Sequence, residues 1–346
     1  MKAMVAKEPG VAEYIEVPTP VPADDQALLK IHRNGICATD LEILSGAAGF
    51  MHDGSTSYPV RFGHEYSAEV VAVGKDVTEV KVGDHVIGEG GVPCKHCPEC
   101  LAGNYNACRN IMGVGTLRTW PGSYAEYMVM PADCLYVLPD SISHDVASLL
   151  EPAAIGMNGV NKADIVPGET IVLVTGVGAI GLAAAAFAKH RGAKKVIVSG
   201  RTPYKLELAK KMGADMVVNP KEEDLVDVLM KETDGHGVDC IIECSGSVAV
   251  LDDCVEVLAK QGKLILISLY GKKYTNFDID AFIFKEADMR TVMFHDTLDT
   301  IKAVDEGVDL SPLITRHIRF DEAAEFMMDL IKQERKENVK VMVDFD

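Results

Sequence analysis

The chain has no apolar run approaching the ~20 residues a bilayer-spanning helix needs, and nothing at its start reads as a secretory signal, so a cytoplasmic protein is expected. It is also short of positive charge. Thirty-four lysines and arginines stand against 52 aspartates and glutamates, a formal charge of −18, and such a surface would draw in neither nucleic acid nor an anionic membrane. Nine cysteines make an odd count for a disulfide framework, and four of them fall within fifteen residues, which in a reducing compartment points to metal. Internal repeats and low-complexity tracts are missing too, which excludes a solenoid. What remains is 346 residues, 48% of them hydrophobic, enough apolar material for two cores and hence two domains.

The stretch 169–201 organises the rest. Ile171–Val174 is a short apolar run read as a buried strand, and Gly176-Val177-Gly178-Ala179-Ile180-Gly181 follows without a gap. An Ala-rich helix then runs to Gly192, and Lys195–Ser199 reads as a second buried strand, completing a βαβ unit. In that context Gly176 makes the tight turn, Gly178 lets the backbone approach a pyrophosphate, and Gly181 lets helix and strand pack closely. The first amides of the helix would face the phosphates. Alternating helices and strands continue to about Phe294, the pattern of a doubly wound parallel sheet with helices on both faces. Two helices, Thr297–Glu306 and Asp321–Lys332, and a strand, Val339–Val343, then close the chain. The charge cluster Lys332–Lys340 reads as a solvated helix end.

About half of the chain precedes the glycine fingerprint, so another domain must hold the chemistry. Its prolines, Pro18, Pro20 and Pro22, exclude an early helix and suggest small antiparallel strands. A short helix begins near Cys37, with Thr39 or Asp40 able to cap it. Cys94-x2-Cys97-x2-Cys100-x7-Cys108 is the most specific pattern present: four thiolates so spaced can wrap one loop around a tetrahedral Zn²⁺ with every position filled, a structural arrangement. Such a site would pin a lobe, about 90–112, that has little apolar material of its own. Glu151-Pro152 lies inside an apolar helical stretch, Asp145–Gly159, where a carboxylate calls for a partner.

Cys37, His64, Glu65 and Glu151 form a scattered set of soft and hard ligands, each with an ordinary structural explanation when taken singly. Together with Gly35-Ile36-Cys37, Gly63-His64-Glu65, the four-cysteine loop and the fingerprint, all in this order, the chain resembles the zinc-dependent medium-chain alcohol dehydrogenases over essentially its whole length. The resemblance implies an α/β architecture in which a Rossmann domain (153–294) is inserted in a mainly-β GroES-like catalytic domain (1–152, resumed at 295–346). It implies a catalytic zinc at the cleft, held by Cys37, His64 and the carboxylates Glu65 or Glu151, and leaves open which carboxylate binds directly. Thr39 resembles the family's proton-relaying hydroxyl. Where the relay often ends in a histidine, this chain has Glu42, and where the Gly-His-Glu signature usually carries a further glycine it has Ala68.

Cofactor choice is read from Ser199-Gly200-Arg201: with no carboxylate to hold the ribose hydroxyls and Arg201 able to pair with a 2′-phosphate, NADP is expected over NAD. Lys340 lies where relatives often place a cation near the pyrophosphate. The Tyr58–Glu65 phrase, Glu151-Pro152 and Lys285-Glu286 resemble the polyol (sorbitol-type) and threonine dehydrogenase branch, so a small-molecule secondary alcohol of polyol, sugar-alcohol or sugar-acid type is the expected substrate, L-threonine the alternative. The polar loop Gly49–Ser57 offers hydrogen bonds to a hydroxyl-rich substrate, and Trp120 reads as core. A non-catalytic nucleotide-binding relative is the contrasting class, disfavoured by the retained ligand set. On resemblance, a homo-oligomer, tetramer or dimer, is expected.

Overall fold

The computed structural model describes residues 1–271, 277–332 and 338–345, so the central part of the Lys332–Lys340 charge cluster, 333–337, lies outside the described residues. Two units are present: Met1–Glu151 with Ile314–Asp346, and Pro152–Leu313. The first boundary falls beside the expected one, but the return comes at Ile314 and not at 295. The intervening segment is held by the second unit: the Asn161 amide donates to Asp296 and to Asp299, both at 2.8 Å, and the Asp296 N–H donates to the Ala154 carbonyl at 3.1 Å. Helix Thr297–Asp305 buries Thr300, Ile301 and Ala303 there.

The second unit is built on a six-stranded, wholly parallel sheet, in spatial order Met216–Val218, Lys195–Ser199, Ile171–Thr175, Val238–Glu243, Leu258–Leu266, Asp288–Thr291. Ile171–Thr175 has neighbours on both sides, Val172 pairing with Val196 and with Cys240, which is why its sequence is continuously apolar. Order reverses between Ile171–Thr175 and Val238–Glu243, the switch point where such sheets leave a crevice outside their carboxyl ends. The strand expected at Lys263 begins five residues earlier at Leu258, and the edge strand expected at Arg290–Phe294 is Asp288–Thr291.

The first unit carries a mixed seven-stranded sheet whose central member, Gln26–Gly35, pairs antiparallel with Glu65–Val73 on one side and with Tyr127–Pro131 and Lys340–Asp344 on the other. Ile314–Arg319 lies parallel to Lys340–Asp344 at the edge. Sequence reading does not find this edge strand, because Thr315-Arg316-His317 interrupts its apolar content and leaves one buried isoleucine, Ile318. Two apolar clusters fill the unit, one under helices Ala38–Ser45 and Ala323–Lys332 and the other between the sheet and the loop that carries Trp120, whose indole N–H reaches the Val129 carbonyl at 2.9 Å. Ala68, where a glycine is usual, is fully buried and pairs with Ile31 and Val86. No described helix is long and apolar enough to cross a membrane.

Candidate active site and metal centres

Strand register assembles the first cluster. Gly35, the last residue of its strand, pairs with Glu65 on one side and Met342 on the other. Two residues beyond Gly35 the chain turns into helix Ala38–Ser45 with Cys37 as N-cap, and His64 immediately precedes Glu65. The ligand atoms of Cys37, His64 and Glu65 consequently lie within 4.8 Å of one another. Gly35 is required by this closeness: a Cβ there would stand 2.3 Å from Glu65 Oε2 and 3.2 Å from the Lys340 Cδ. Gly63 has φ 95°, and a Cβ on it would meet the Tyr124 ring at 2.6 Å.

Buried charges in the cluster are compensated. Lys340 Nζ, on a residue 5% exposed, reaches Glu65 Oε1 at 2.7 Å and Oε2 at 2.5 Å and the Ile36 carbonyl at 3.2 Å; Glu65 is 1% exposed. Burial opposes the ammonium, but Glu65, together with Cys37 and Glu151, outweighs it, so Lys340 is held above its ordinary value. This corrects the sequence reading of Lys340 as a pyrophosphate cation: its donors are spent on Glu65 and Ile36. Asp40, fully buried, accepts the Cys37 amide at 2.9 Å and the Tyr124 hydroxyl at 3.1 Å through Oδ2. The cap is thus Cys37, with Asp40 closing it from the first turn. Asp40 Oδ1 and His64 Nδ1 are 3.7 Å apart, both buried and neither with a hydrogen-bond partner. A carboxylate facing one ring nitrogen orients the imidazole and leaves the other nitrogen for a metal. Burial pushes Asp40 up to about 6 despite the nearby His64. For His64 burial works against the charge, yet Cys37, hydrogen-bonded to it, with Glu151 and Asp40, keeps it well above 6.5. Glu151 is half-buried in the first turn of helix Leu150–Lys162, where the helix dipole favours a carboxylate. A thiol, an imidazole and a carboxylate so placed, with the Glu151 carboxylate near enough to act on His64 and Lys340, fit a divalent zinc ion.

The second cluster is the four-cysteine lobe. Cys94, Cys97, Cys100 and Cys108 bring their sulfurs within 4.8 Å of one another, and the Cys94 amide donates to the Cys108 sulfur at 3.3 Å. The lobe's buried cluster consists of these thiols and Ile111, so its core is its ligand set. Backbone amides, that of His96 first, draw Cys94 down to about 6, while burial and the neighbouring thiols push Cys100 up to about 12. Four thiols this close suit a cation that lets all ionise together.

At the carboxyl end of Ile171–Thr175, Gly176 has φ 96° and a Cβ on it would lie 2.8 Å from the backbone of Cys244. Gly181 lies equally tight, its Cβ position 2.2 Å from the Gly176 carbonyl. Gly178 faces open space within 4 Å and is the N-cap of helix Ala179–His190 with no side chain capping it, so the amides of Ala179 and Ile180 begin a helix with unpaired donors. A crevice of about 480 Å³ opens over this loop, lined also by Ser199, Gly200, Arg201 and Lys205. Its acidic lining residue is Asp253, pushed up by burial and by neighbouring carboxylates.

Residues 23–140 match the alcohol dehydrogenase GroES-like domain, and 179–309 match the zinc-binding dehydrogenase domain. An L-threonine 3-dehydrogenase from Deinococcus radiodurans is 38% identical over 325 residues, 92% of this chain and 91% of the relative. The chain belongs to the zinc-binding alcohol dehydrogenase family. Solved members superpose throughout. Galactitol-1-phosphate dehydrogenase from Escherichia coli has TM-score 0.90 at 26% identity, each chain covered in full. A structure described as a zinc-binding dehydrogenase from Sinorhizobium meliloti 1021, bound to NADP, has TM-score 0.89 at 28% identity over 99% of both chains. This member of the family is accordingly a zinc-dependent alcohol dehydrogenase-type oxidoreductase that uses a nicotinamide dinucleotide.

Thr39 is half-buried in the first turn of Ala38–Ser45, and Glu42 is exposed three residues on, on the same helix face. Sequence reasoning did not assign Gly35, Asp40 and Tyr124 to the site. Their signal was available only in part: Asp40 is three residues from Cys37, whereas Gly35 and Tyr124 act through register and packing that no local pattern reports.

Proposed function

We propose that this dehydrogenase oxidises the secondary hydroxyl of a polyhydroxylated small molecule, a polyol, sugar alcohol or sugar acid, with NADP⁺. The observation that carries the reading is the convergence of Cys37, His64 and Glu65 at one strand end. Cys37 and His64 would hold zinc with one carboxylate. Glu151 is the better candidate for direct ligation, since both Glu65 oxygens are given to Lys340. Zinc held there would supply Lewis acidity that eases deprotonation of the substrate hydroxyl. Cys94, Cys97, Cys100 and Cys108 would hold a second, structural zinc. Thr39 takes the hydroxyl proton and Glu42, one turn on and exposed, passes it to water. Asp40 orients His64 through the pair of Oδ1 and Nδ1 atoms that face each other.

The dinucleotide pyrophosphate would lie against Gly176, Gly178 and Gly181 and the amides of Ala179 and Ile180. NADP is favoured by Gly200, which has no carboxylate to repel a 2′-phosphate, and by Arg201 and Ser199 in the same crevice. A second reading, oxidation of L-threonine, is favoured by the 38% identity to a threonine dehydrogenase. Exposed Ile283, Phe284, Met293 and Leu298 on the nucleotide unit support a homo-oligomer, dimer or tetramer, and nine free cysteines support a cytoplasmic setting. The test is a spectrophotometric screen of polyols, sugar acids and L-threonine with NAD⁺ and NADP⁺, zinc being measured on the same sample. Metal-replete protein inert toward all of them refutes the substrate class, and preference for NAD⁺ refutes the cofactor choice.

A further inference from the structure

A cleft of about 310 Å³ lies in the catalytic unit between Ser55–Arg61 and the turn Arg118–Pro121, and its charged lining is two arginines, Arg61 and Arg118, with no carboxylate. In a chain of charge −18 this is unusual company. Several surface cations of the same unit are matched, Lys81 with Asp84, Lys95 with Asp133 and Arg109 with Glu99. Arg61 is not. Its guanidinium is half-buried, its Nε is wholly buried with no hydrogen-bond partner, and burial pushes the group below its ordinary value. Arg118 gives one N–H to the Arg109 carbonyl at 2.9 Å. Asp53 is the carboxylate that feels Arg118, but it is exposed and is bound first to Ser55.

The backbone is bent to make this arrangement. Arg118 and Thr119 are consecutive non-glycine residues with φ 50° and 29°, conformations that cost about 1–3 kcal/mol each and persist where the surroundings over-determine them. The Thr56 hydroxyl does so, accepting the Arg118 amide at 2.9 Å while donating to the Thr116 carbonyl at 3.0 Å. Two like charges, one partly desolvated, in one pocket whose lining holds no carboxylate are unfavourable until an anion joins them. The planar forks of arginine match phosphoryl oxygens two at a time, and two cations suit a dianion better than a single carboxylate.

We propose that the Arg61–Arg118 cleft is an oxyanion site that takes the phosphoryl group of a small molecule. That group arrives either on the alcohol substrate, as a phosphate monoester, or as free phosphate.

Zinc-loaded protein, with saturating dinucleotide to fill the glycine loop, is titrated with inorganic phosphate by calorimetry at constant ionic strength against chloride. Wild type should show saturable binding, and Arg118→Gln, an exposed position that leaves the core untouched, should weaken it about tenfold or more. Arg61→Gln should do the same and Arg61→Lys should recover part of it. A substrate-borne phosphoryl group shows as a tenfold rise in KM for polyol phosphates in both variants, with KM for the unphosphorylated polyols unmoved; a free anion leaves both KM values in place. Absence of saturable phosphate binding in wild type, or equal binding in Arg118→Gln, overturns the proposal. So does loss of subunit association on sedimentation of the variants with no phosphate effect, since the cleft is then a subunit contact. Phosphate binding is read without turnover, so its failure is distinct from failure of the polyol reading.

Discussion

Replacing Lys340 by methionine tests the electrostatic logic of the catalytic unit. Lys340 is 5% exposed and makes two contacts to a carboxylate that is 1% exposed, so the substitution strips the buried Glu65 of its ammonium partner. Breaking a buried pair from one side costs about 3–5 kcal/mol. For a unit of this size about 2–4 °C of melting temperature goes with each kcal/mol, so a fall of about 6–20 °C is expected for the transition of the catalytic unit. The double substitution Lys340→Met with Glu65→Gln removes the stranded charge and should recover more than half of that loss. Calorimetric scans at fixed, saturating zinc measure both, with metal content checked on each sample so that lost zinc is not mistaken for lost pairing. A drop below ~2 °C in the single variant, or a double variant no better than the single, refutes the claim that Lys340 exists to neutralise Glu65.

Gly35→Ala should destabilise by about 1–3 kcal/mol and depress activity, because its methyl would occupy the space of Glu65 Oε2; equilibrium denaturation and initial rates report the two effects. Cys97→Ser should lose one zinc per chain and open the lobe around 90–112 to proteolysis, since that lobe has no core beyond its thiols. Arg201→Ala should raise KM for NADP⁺ about tenfold and leave KM for NAD⁺ within about twofold, read in paired kinetic assays. Asp215→Asn carries a pH signature. Burial alone would raise the Asp215 carboxyl, but Lys189 at 2.6 Å and the Val196 amide at 2.8 Å hold it below its ordinary 3.8. The wild-type advantage, about 1 kcal/mol, is therefore present above pH 3.8 and lost as pH falls through the depressed folded value; a pH-independent difference counts against it.

Local signals were legible wherever a single segment carried the whole instruction. Gly176, Gly178 and Gly181 sit between a continuous apolar run and an alanine-rich helix, so the strand, turn and helix that give them their roles lie in one short segment. The four cysteines of the lobe likewise lie within one loop. Misreadings fell where partners are far apart in the chain. Lys340 was read toward the dinucleotide because relatives often place a cation there, whereas pairing of Met342 with Gly35, and of Gly35 with Glu65, carries its ammonium to Glu65. The return to the catalytic unit was placed too early because helix Thr297–Asp305 is amphipathic in sequence and says nothing of which unit its apolar face joins.

The sequence by itself determined the nucleotide-binding βαβ unit and the four-thiol lobe, because periodicity, glycine spacing and thiol spacing are properties of short segments, and the class of chemistry followed from the resemblance that its ordered motifs carry. Tertiary structure alone decided which charges face which: the pairing of Lys340 with Glu65, the facing of Asp40 and His64, and the two arginines gathered in one cleft with no carboxylate in its lining. Those are relations between residues tens to hundreds of positions apart, fixed by strand register and burial, and burial is what turns an ordinary surface charge into one that must have a partner.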